Sequence, residues 1–219
     1  MGIVGLSILV AVVVAIFAGI IYWALAIQPR SEQSRAALSP EDAWRESGLK
    51  QLRAQNFVLY QIVPTTRLAK AEFIFRDEYH REFGRYVGNI NKSATIEYSG
   101  KTLALYIQGA TIGGSAYAGK VGGSSNDSIV IRDDQRLIAE IWRQTAIPPI
   151  RYHVAYSGDT FEIRTGGLSP TSPGAIERNG EQIASFRRPS ATSRNIFIAF
   201  RNDLPSELKV CFCSVVLLD

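Results

Sequence analysis

The sequence predicts a mainly β protein with a single N-terminal transmembrane helix and a short amphipathic helix. An antiparallel β-barrel or sandwich with a buried apolar C-terminal helix is expected to follow. Three observations carry this prediction. Residues 2–28 contain no charged side chain, and the chain ends in an apolar run, residues 210–218, broken only by Ser214. Between them, short apolar segments alternate with polar turns, as is typical of all-β sandwiches and barrels.

Composition indicates a globular chain with one sizeable domain. Of 219 residues, 46% are hydrophobic and 20% are charged, which is unlike a disordered protein. Without the apolar start, about 190 residues remain, enough for one core. The net charge of +4 comes without any block of Lys and Arg. The sequence therefore argues against nucleic acid as a partner.

Residues 1–29 are predicted to be a membrane anchor. About 20 apolar residues cross the hydrocarbon core as a helix, and this run is longer. An aromatic pair near its far end is typical of the membrane interface. The residues expected to hold the anchor in lipid are Ile3, Leu9, Ile16, Tyr22 and Trp23. A cleavable signal peptide, cut after Ala26, is the alternative interpretation.

The flanks of this segment predict its orientation. No basic side chain precedes it, whereas Arg30, Arg35 and Arg45 follow. The positive-inside rule then places the C-terminal domain in the cytoplasm, with the chain as a single-pass membrane protein.

Residues 30–55 are predicted to be a linker and an amphipathic helix. Ser39 is a suitable N-cap, Pro40 suits the first helical position, and Asp42 lies three residues after the cap. Trp44 and Leu52 share one face of this helix, which is expected to pack on the domain or to lie along the membrane.

Residues 56–219 are predicted to be a β-barrel-like domain. Closure into a barrel would leave no exposed edge strand. Strands are expected over residues 57–62, 71–75, 94–98, 103–107, 128–131, 137–142, 151–156, 160–163, 175–177, 182–186 and 195–200.

The last apolar run is predicted to be a helix. Pro205 and, in the first turn, Glu207 favour a helix start over a strand. A helix that is apolar all round has to be buried on every side. Within it, Cys211 and Cys213 are expected to be buried free thiols, because residues two apart do not suit a disulfide.

No motif predicts catalysis, a cofactor or a metal. Residues 114–120 fit G-x-x-x-x-G-K, but Val121 stands where a P-loop needs Ser or Thr, so we interpret the string as a glycine-rich loop. His80 and His153 have no Cys or His partner at a ligand spacing. We therefore expect a protein that is not an enzyme and that carries no cofactor.

The densest group of basic residues lies near the C-terminus. It contains Arg187, Arg188, Arg194 and Arg201. These residues are candidates for contact with lipid headgroups or an acidic partner. The alternative is a solvated loop face.

The order of hairpins and helix resembles a known family. The features are the hairpins around Asp133-Asp134, Gly158-Asp159 and Asn179-Gly180, followed by the apolar run 205–218. Together they resemble the tubby C-terminal-like group, which includes LURP-one-related proteins and phospholipid scramblases. The resemblance implies a β-barrel wrapped around a central hydrophobic helix near the chain end.

Two functions are consistent with these predictions. The first is an accessory, structural subunit, whose anchor packs among other integral membrane subunits and whose β domain braces the cytoplasmic face of the complex. Small residues in the anchor would permit close helix packing. The alternative, implied by the resemblance, is a tubby-like or scramblase-like module that binds membrane lipid.

Overall fold

A computed structural model describes residues 12–16, 38–65, 71–88, 93–108, 128–145, 149–167, 169, 171–191 and 193–217. The chain divides into two compact units, Met1–Ala37 and Leu38–Asp219. In the first unit, residues 12–16 are helical. The second unit contains the strands and helices described below.

The predicted N-terminal transmembrane helix is wrong for the residues that the structure describes. None of their helices has both the length and the apolarity needed to cross a bilayer. Residues 12–16 rise about 7.5 Å as a helix, against a hydrocarbon core of about 30 Å. The rest of the predicted segment 1–29 lies outside the described residues.

Antiparallel strands make up most of the second unit. Among the described residues they are β1 (Phe57–Pro64), β2 (Glu72–Asp77), β3 (Glu82–Gly88), β4 (Ser93–Tyr98), β5 (Lys101–Gln108), β6 (Ser128–Asp133), β7 (Arg136–Arg143), β8 (Arg151–Tyr156), β9 (Asp159–Arg164), β10 (Gly174–Arg178), β11 (Glu181–Arg187) and β12 (Ile196–Arg201).

These strands form a closed barrel, which decides between the predicted barrel and sandwich. Each strand pairs with the next along the chain, and β1 closes the ring by pairing with β12. In that closing pair Leu59 lies opposite Ala199, and Gln61 lies opposite Phe197. Closure pairs both edges of the sheet, so no strand edge is left open to other chains.

Tight turns connect the strands at one end of the barrel, which we call the turn end. It is formed by the turns after β2, β4, β6, β8 and β10. In the turn after β10, φ is 53° at Asn179 and 79° at Gly180. Positive φ at both central residues is the type I′ geometry, which suits the twist of a hairpin. The opposite end, where β1 ends and β12 begins, is called the loop end.

A helix, α3 (Ser206–Val216), fills the barrel. It follows β12 and therefore enters from the turn end. The Phe212 ring lies edge-on to Phe161 of β9, with centroids 5.3 Å apart, and stacks with Phe200 of β12 at 6.3 Å. Residues 208–216 are all buried. Contacts come from β3, β9 and β12, so the helix is buried inside the barrel, as predicted.

The helix approaches β3 closely at a glycine. A Cβ atom on Gly84 would lie 3.1 Å from Cδ2 of Phe75 and 3.4 Å from Cγ2 of Val210. It would also lie 3.2 Å from the carbonyl oxygen of Glu97, so a side chain there would crowd Phe75 and the neighbouring strand as well as the helix. The barrel thus needs a small residue at this inward position.

Two short helices, α1 (Pro40–Ser47) and α2 (Lys50–Arg53), cover the outside of β1 and β12. Ser39 caps α1 by accepting a hydrogen bond from the Asp42 N–H over 3.2 Å, as predicted. Trp44 is fully buried against the strands, and its Nε1 donates to Oε2 of Glu78 over 3.1 Å. The apolar face of α1 therefore packs on the domain, one of the two predicted alternatives.

Candidate functional site

The four arginines singled out from the sequence lie at two different ends of the barrel. Arg187 ends β11, and Arg188 and Arg194 follow in the connection to β12, so all three lie at the loop end. Arg201 ends β12 at the turn end. Arg187 lies opposite Phe197 of β12, and Arg201 is four residues further along that strand. Along the strand, Arg187 and Arg201 are therefore about 13 Å apart.

Arg201 is engaged in ion pairs at the turn end. Its Nη1 lies 2.5 Å from Oε1 of Glu181, and its Nε lies 2.7 Å from Oδ1 of Asp203. The hydrogen bond from Arg201 lowers the pKa of Asp203. Both carboxylate partners are exposed, so these ion pairs contribute little to stability.

Further arginines join the loop end. Arg143 ends β7, Arg151 begins β8 and Arg164 ends β9. These residues are far apart along the chain, and they share one end of the barrel because consecutive strands alternate in direction. For that reason they were not predicted from the sequence. We call the group the basic patch; its members are Arg143, Arg151, Arg164, Arg187, Arg188 and Arg194.

Backbone carbonyls hold two of these arginines in place. Nε of Arg187 donates to the carbonyl of Thr171 over 2.6 Å. Nε of Arg143 donates to the carbonyl of Thr145 over 3.0 Å. These bonds use one donor of each guanidinium and fix its position without neutralising its charge.

Arg188 and Arg194 differ in their surroundings. The Arg194 guanidinium lies over the ring of Phe73, with Cζ 5.7 Å from the centroid. Arg188 is half-buried and has no hydrogen bond or ion pair with any residue that the structure describes. Its charge is thus not paired within the described part of the domain.

Carboxylates pair with two members of the basic patch. Nη1 of Arg151 lies 3.2 Å from Oε1 of Glu162, and Arg164 pairs with Glu177. Among the described residues that begin or end a strand at the loop end, only Glu72 is acidic. Its carboxylate pairs with Arg85 at 2.9 Å. The loop end therefore holds more arginines than carboxylates among the residues that the structure describes.

At the turn end, positive and negative side chains are matched. The ion pairs there are Asp77–Arg81, Asp133–Arg136, Asp159–Arg178 and Glu181–Arg201. Additional acidic side chains lie in the same turns, among them Asp134 and Asp203. Charge is thus segregated along the barrel axis, with the positive excess at the loop end.

The entry of α3 at the turn end holds a partly buried carboxylate. Glu207 accepts hydrogen bonds from the hydroxyls of Tyr98 over 2.6 Å and Tyr156 over 2.9 Å. Arg136 approaches Glu207 at 3.4 Å. Burial favours the neutral acid, but these hydrogen bonds outweigh it and lower the pKa of Glu207. The pKa of Tyr156 is raised to about 12, mainly by burial and next by its hydrogen bond to Glu207.

Lys209 is the other charged residue of the buried helix. Its Nζ donates to the hydroxyl of Tyr60 over 3.3 Å and to the carbonyl of Asn202 over 3.4 Å. Burial lowers the pKa of Lys209. Both charged groups of α3 therefore stay near the turn end, and both are hydrogen-bonded to the barrel rather than to a ligand.

An open groove of about 750 Å³ lies beside this entry. Its walls come from β3, β4, β5 and the start of α3. The lining residues are Glu82, Phe83, Gly84, Glu97, Tyr98, Ser99, Gly100, Lys101, Thr102 and Ser206. Charges of both signs line it, so the groove indicates no single ligand class.

Other sequence candidates fall partly outside the described residues. Ile3, Leu9, Tyr22 and Trp23 of the predicted anchor lie there, as does the glycine-rich string 114–120. Ile16 lies in the described helical stretch and is exposed. In the described part of the chain, no three His, Cys, Asp or Glu side chains cluster in a way that could hold a metal. His153 stacks with Trp142 on the outer wall of the barrel.

Comparison with known proteins leaves the chain without an assigned family. No family model, curated protein or solved structure matches it.

Proposed function

We propose that the domain is a non-catalytic module that binds the phosphate headgroups of an anionic membrane surface through its basic patch. The observation that carries the proposal is the segregation of charge along the barrel axis. At the turn end arginines pair with carboxylates, whereas the loop end gathers arginines from four strands and from the connection between β11 and β12.

Arginine chemistry supports phosphate as the ligand. A guanidinium presents several N–H donors in a planar fork that matches two phosphate oxygens. Arg187 is positioned by the bond from its Nε to the Thr171 carbonyl, and its Nη1 lies 2.0 Å from where a Cβ atom on Gly48 would be. Near an anionic bilayer each basic side chain contributes about 1 kcal/mol of binding free energy.

The architecture supports membership of the tubby-like group as part of this proposal. A closed barrel around a buried apolar helix is the arrangement that the sequence resemblance implies. Membrane lipid is the partner that the same resemblance implies. The barrel interior is occupied by the buried helix α3, which supports a role for the outer surface in binding.

The accessory-subunit hypothesis stays a prediction. It depends on an anchor that packs among other membrane helices, and no described contact of the barrel favours it over lipid binding. We therefore base the experiments on the basic patch.

A vesicle-binding assay tests the proposal. The full chain is sedimented with vesicles of phosphatidylcholine alone, or of equimolar phosphatidylcholine and phosphatidylserine. We expect binding that requires phosphatidylserine. The triple variant Arg187→Ala, Arg188→Ala, Arg194→Ala should bind roughly 100-fold more weakly, from about 1 kcal/mol for each arginine.

A matched triple variant controls for net charge. Arg53→Ala, Arg81→Ala, Lys101→Ala removes the same charge from residues away from the basic patch, and it should bind like the wild type. Since Arg187 also contacts the Thr171 carbonyl, the single variant Arg188→Glu tests the patch without removing that bond. Equal binding to neutral vesicles, or equal loss in both triple variants, would overturn the proposal.

A further inference from the structure

Large aromatic side chains lie exposed on the outer wall of the barrel. Trp142 of β7 is 37% exposed, and Tyr106 of β5 is 46% exposed. Their neighbours in sequence, Ile141 and Leu105, are buried in the core. The strand alternation therefore places both rings on the outside, where a barrel wall otherwise carries polar or charged groups.

The rings lie on the same wall of the barrel, on β5, β7 and β8. Trp142 lies opposite His153 of β8, and their rings stack with centroids 5.8 Å apart and planes 18° apart. Tyr106 lies opposite Val130, which in turn lies opposite Glu140. Glu140 is two residues before Trp142, so Tyr106 and Trp142 are offset by about 7 Å along the strand direction. We call Tyr106, Trp142 and His153 the aromatic patch.

The aromatic patch adjoins the basic patch. Trp142 directly precedes Arg143, and His153 lies two residues after Arg151. Both arginines lie on the loop-end side of the rings. Trp142 has no hydrogen bond for its Nε1 among the described residues, whereas Trp44 is fully buried and bonded to Glu78. The indole of Trp142 thus keeps both an apolar face and a free donor at the surface.

From this arrangement we infer that the aromatic patch enters the headgroup region of the bilayer when the basic patch binds. The inference rests on the proposed lipid binding and adds an orientation to it. Trp and Tyr rings favour the boundary between headgroups and acyl chains, because one part of each ring is apolar and another is polar. Arginines next to them reach the phosphates. The barrel therefore docks with its loop end and its β5–β8 wall toward the lipid.

Tryptophan fluorescence tests this orientation. The full chain with Trp23→Phe retains Trp44, which is buried, and Trp142, which is exposed. Anionic vesicles should shift the emission to shorter wavelength, and lipids brominated near the top of the acyl chain should quench it. Both changes should disappear in a chain that also carries Trp142→Phe. Trp142→Ala should weaken vesicle binding roughly tenfold.

A reporter at the opposite end provides the matched control. Tyr79 is an exposed aromatic residue of the turn end. A chain with Trp23→Phe, Trp142→Phe and Tyr79→Trp carries its exposed indole there. The fluorescence emission of this tryptophan should be neither shifted nor quenched by the same vesicles.

The outcomes separate this inference from the proposed function. If phosphatidylserine-dependent sedimentation persists while Trp142 is not quenched, or if the Tyr79→Trp reporter is quenched equally, the docking orientation is overturned and lipid binding stands. If sedimentation does not depend on phosphatidylserine, the proposed function fails and the inference fails with it. Quenching of Trp142 alone supports both.

Discussion

The hydroxyl of Tyr98, at the end of β4, donates a hydrogen bond over 2.6 Å to the carboxylate of Glu207 on the helix inside the barrel. The bond ties α3 to the wall at the point where the helix enters. Tyr98 itself is buried. Its pKa is raised, mainly by this burial and next by the hydrogen bond to Glu207. The contact thus places a charged acceptor where water has little access, which strengthens the hydrogen bond.

Removing that hydroxyl should destabilise the protein. Tyr98→Phe keeps the ring but deprives Glu207 of one of its donors, and a hydrogen bond to a charged group contributes about 2 kcal/mol. The free energy of unfolding, measured by urea denaturation, should fall by about that amount. Tyr79→Phe, at an exposed tyrosine, is the control and should change it by less than about 0.5 kcal/mol. Equal effects of the two variants would show that the bond adds nothing to stability.

Glu207 should also make stability depend on pH. Its folded-state pKa is below the ordinary value of 4.5, so its ionised form stabilises the fold above that pH. This contribution is lost as the pH falls through the lowered pKa. Glu207→Gln should therefore be less stable than the wild type at about pH 6, and the difference should shrink toward about pH 3. A difference in urea midpoint that stays constant with pH would contradict the assignment.

The central helix should depend strongly on its aromatic contact with the wall. Phe212 is fully buried between Phe161 and Phe200. Phe212→Ala removes this packing and leaves a cavity, which should lower the free energy of unfolding by about 3–5 kcal/mol. Leu137→Ala, at a half-exposed leucine of the outer wall, should change it by less than about 0.5 kcal/mol. A small effect at Phe212 would mean that the helix does not pack as described.

Sequence patterns predicted most strands, because alternation and turn residues are local signals. They missed β3, whose sequence, EFGRYVG, contains glycines at two buried positions. The reason is tertiary: Gly84 has to be small because α3 and Phe75 lie against it. They also predicted one helix over residues 40–55, where Gly48 in the left-handed region (φ 67°) separates α1 from α2.

The candidate site was predictable only in its local part. Arg187, Arg188 and Arg194 are close in sequence and stay together at the loop end. Arg201 is equally close in sequence, but β12 carries it to the turn end. Arg151 joins the basic patch only because consecutive strands of the barrel alternate in direction, which no local pattern encodes.

Salt should weaken the proposed lipid binding. The screening length falls from about 8 Å at 0.15 M ionic strength to about 3 Å at 1 M, so the attraction between the basic patch and anionic headgroups decreases. The dissociation constant for phosphatidylserine-containing vesicles should rise steeply with salt for the wild type. It should rise less for the Arg187, Arg188, Arg194 triple alanine variant, which has fewer charges to screen. Parallel salt curves for the two proteins would contradict a role for these arginines.

The two cysteines should report opening of the barrel. Cys211 and Cys213 are free and fully buried on α3. Burial raises the pKa of both thiols, so the reactive thiolate is scarce as well as shielded. A thiol reagent should therefore label neither residue in the native protein and both in denaturing urea. Tyr98→Phe, which loosens the entry of α3, should speed labelling in native buffer, whereas Tyr79→Phe should not. Rapid labelling of the native wild type would show that the helix is not enclosed by the barrel.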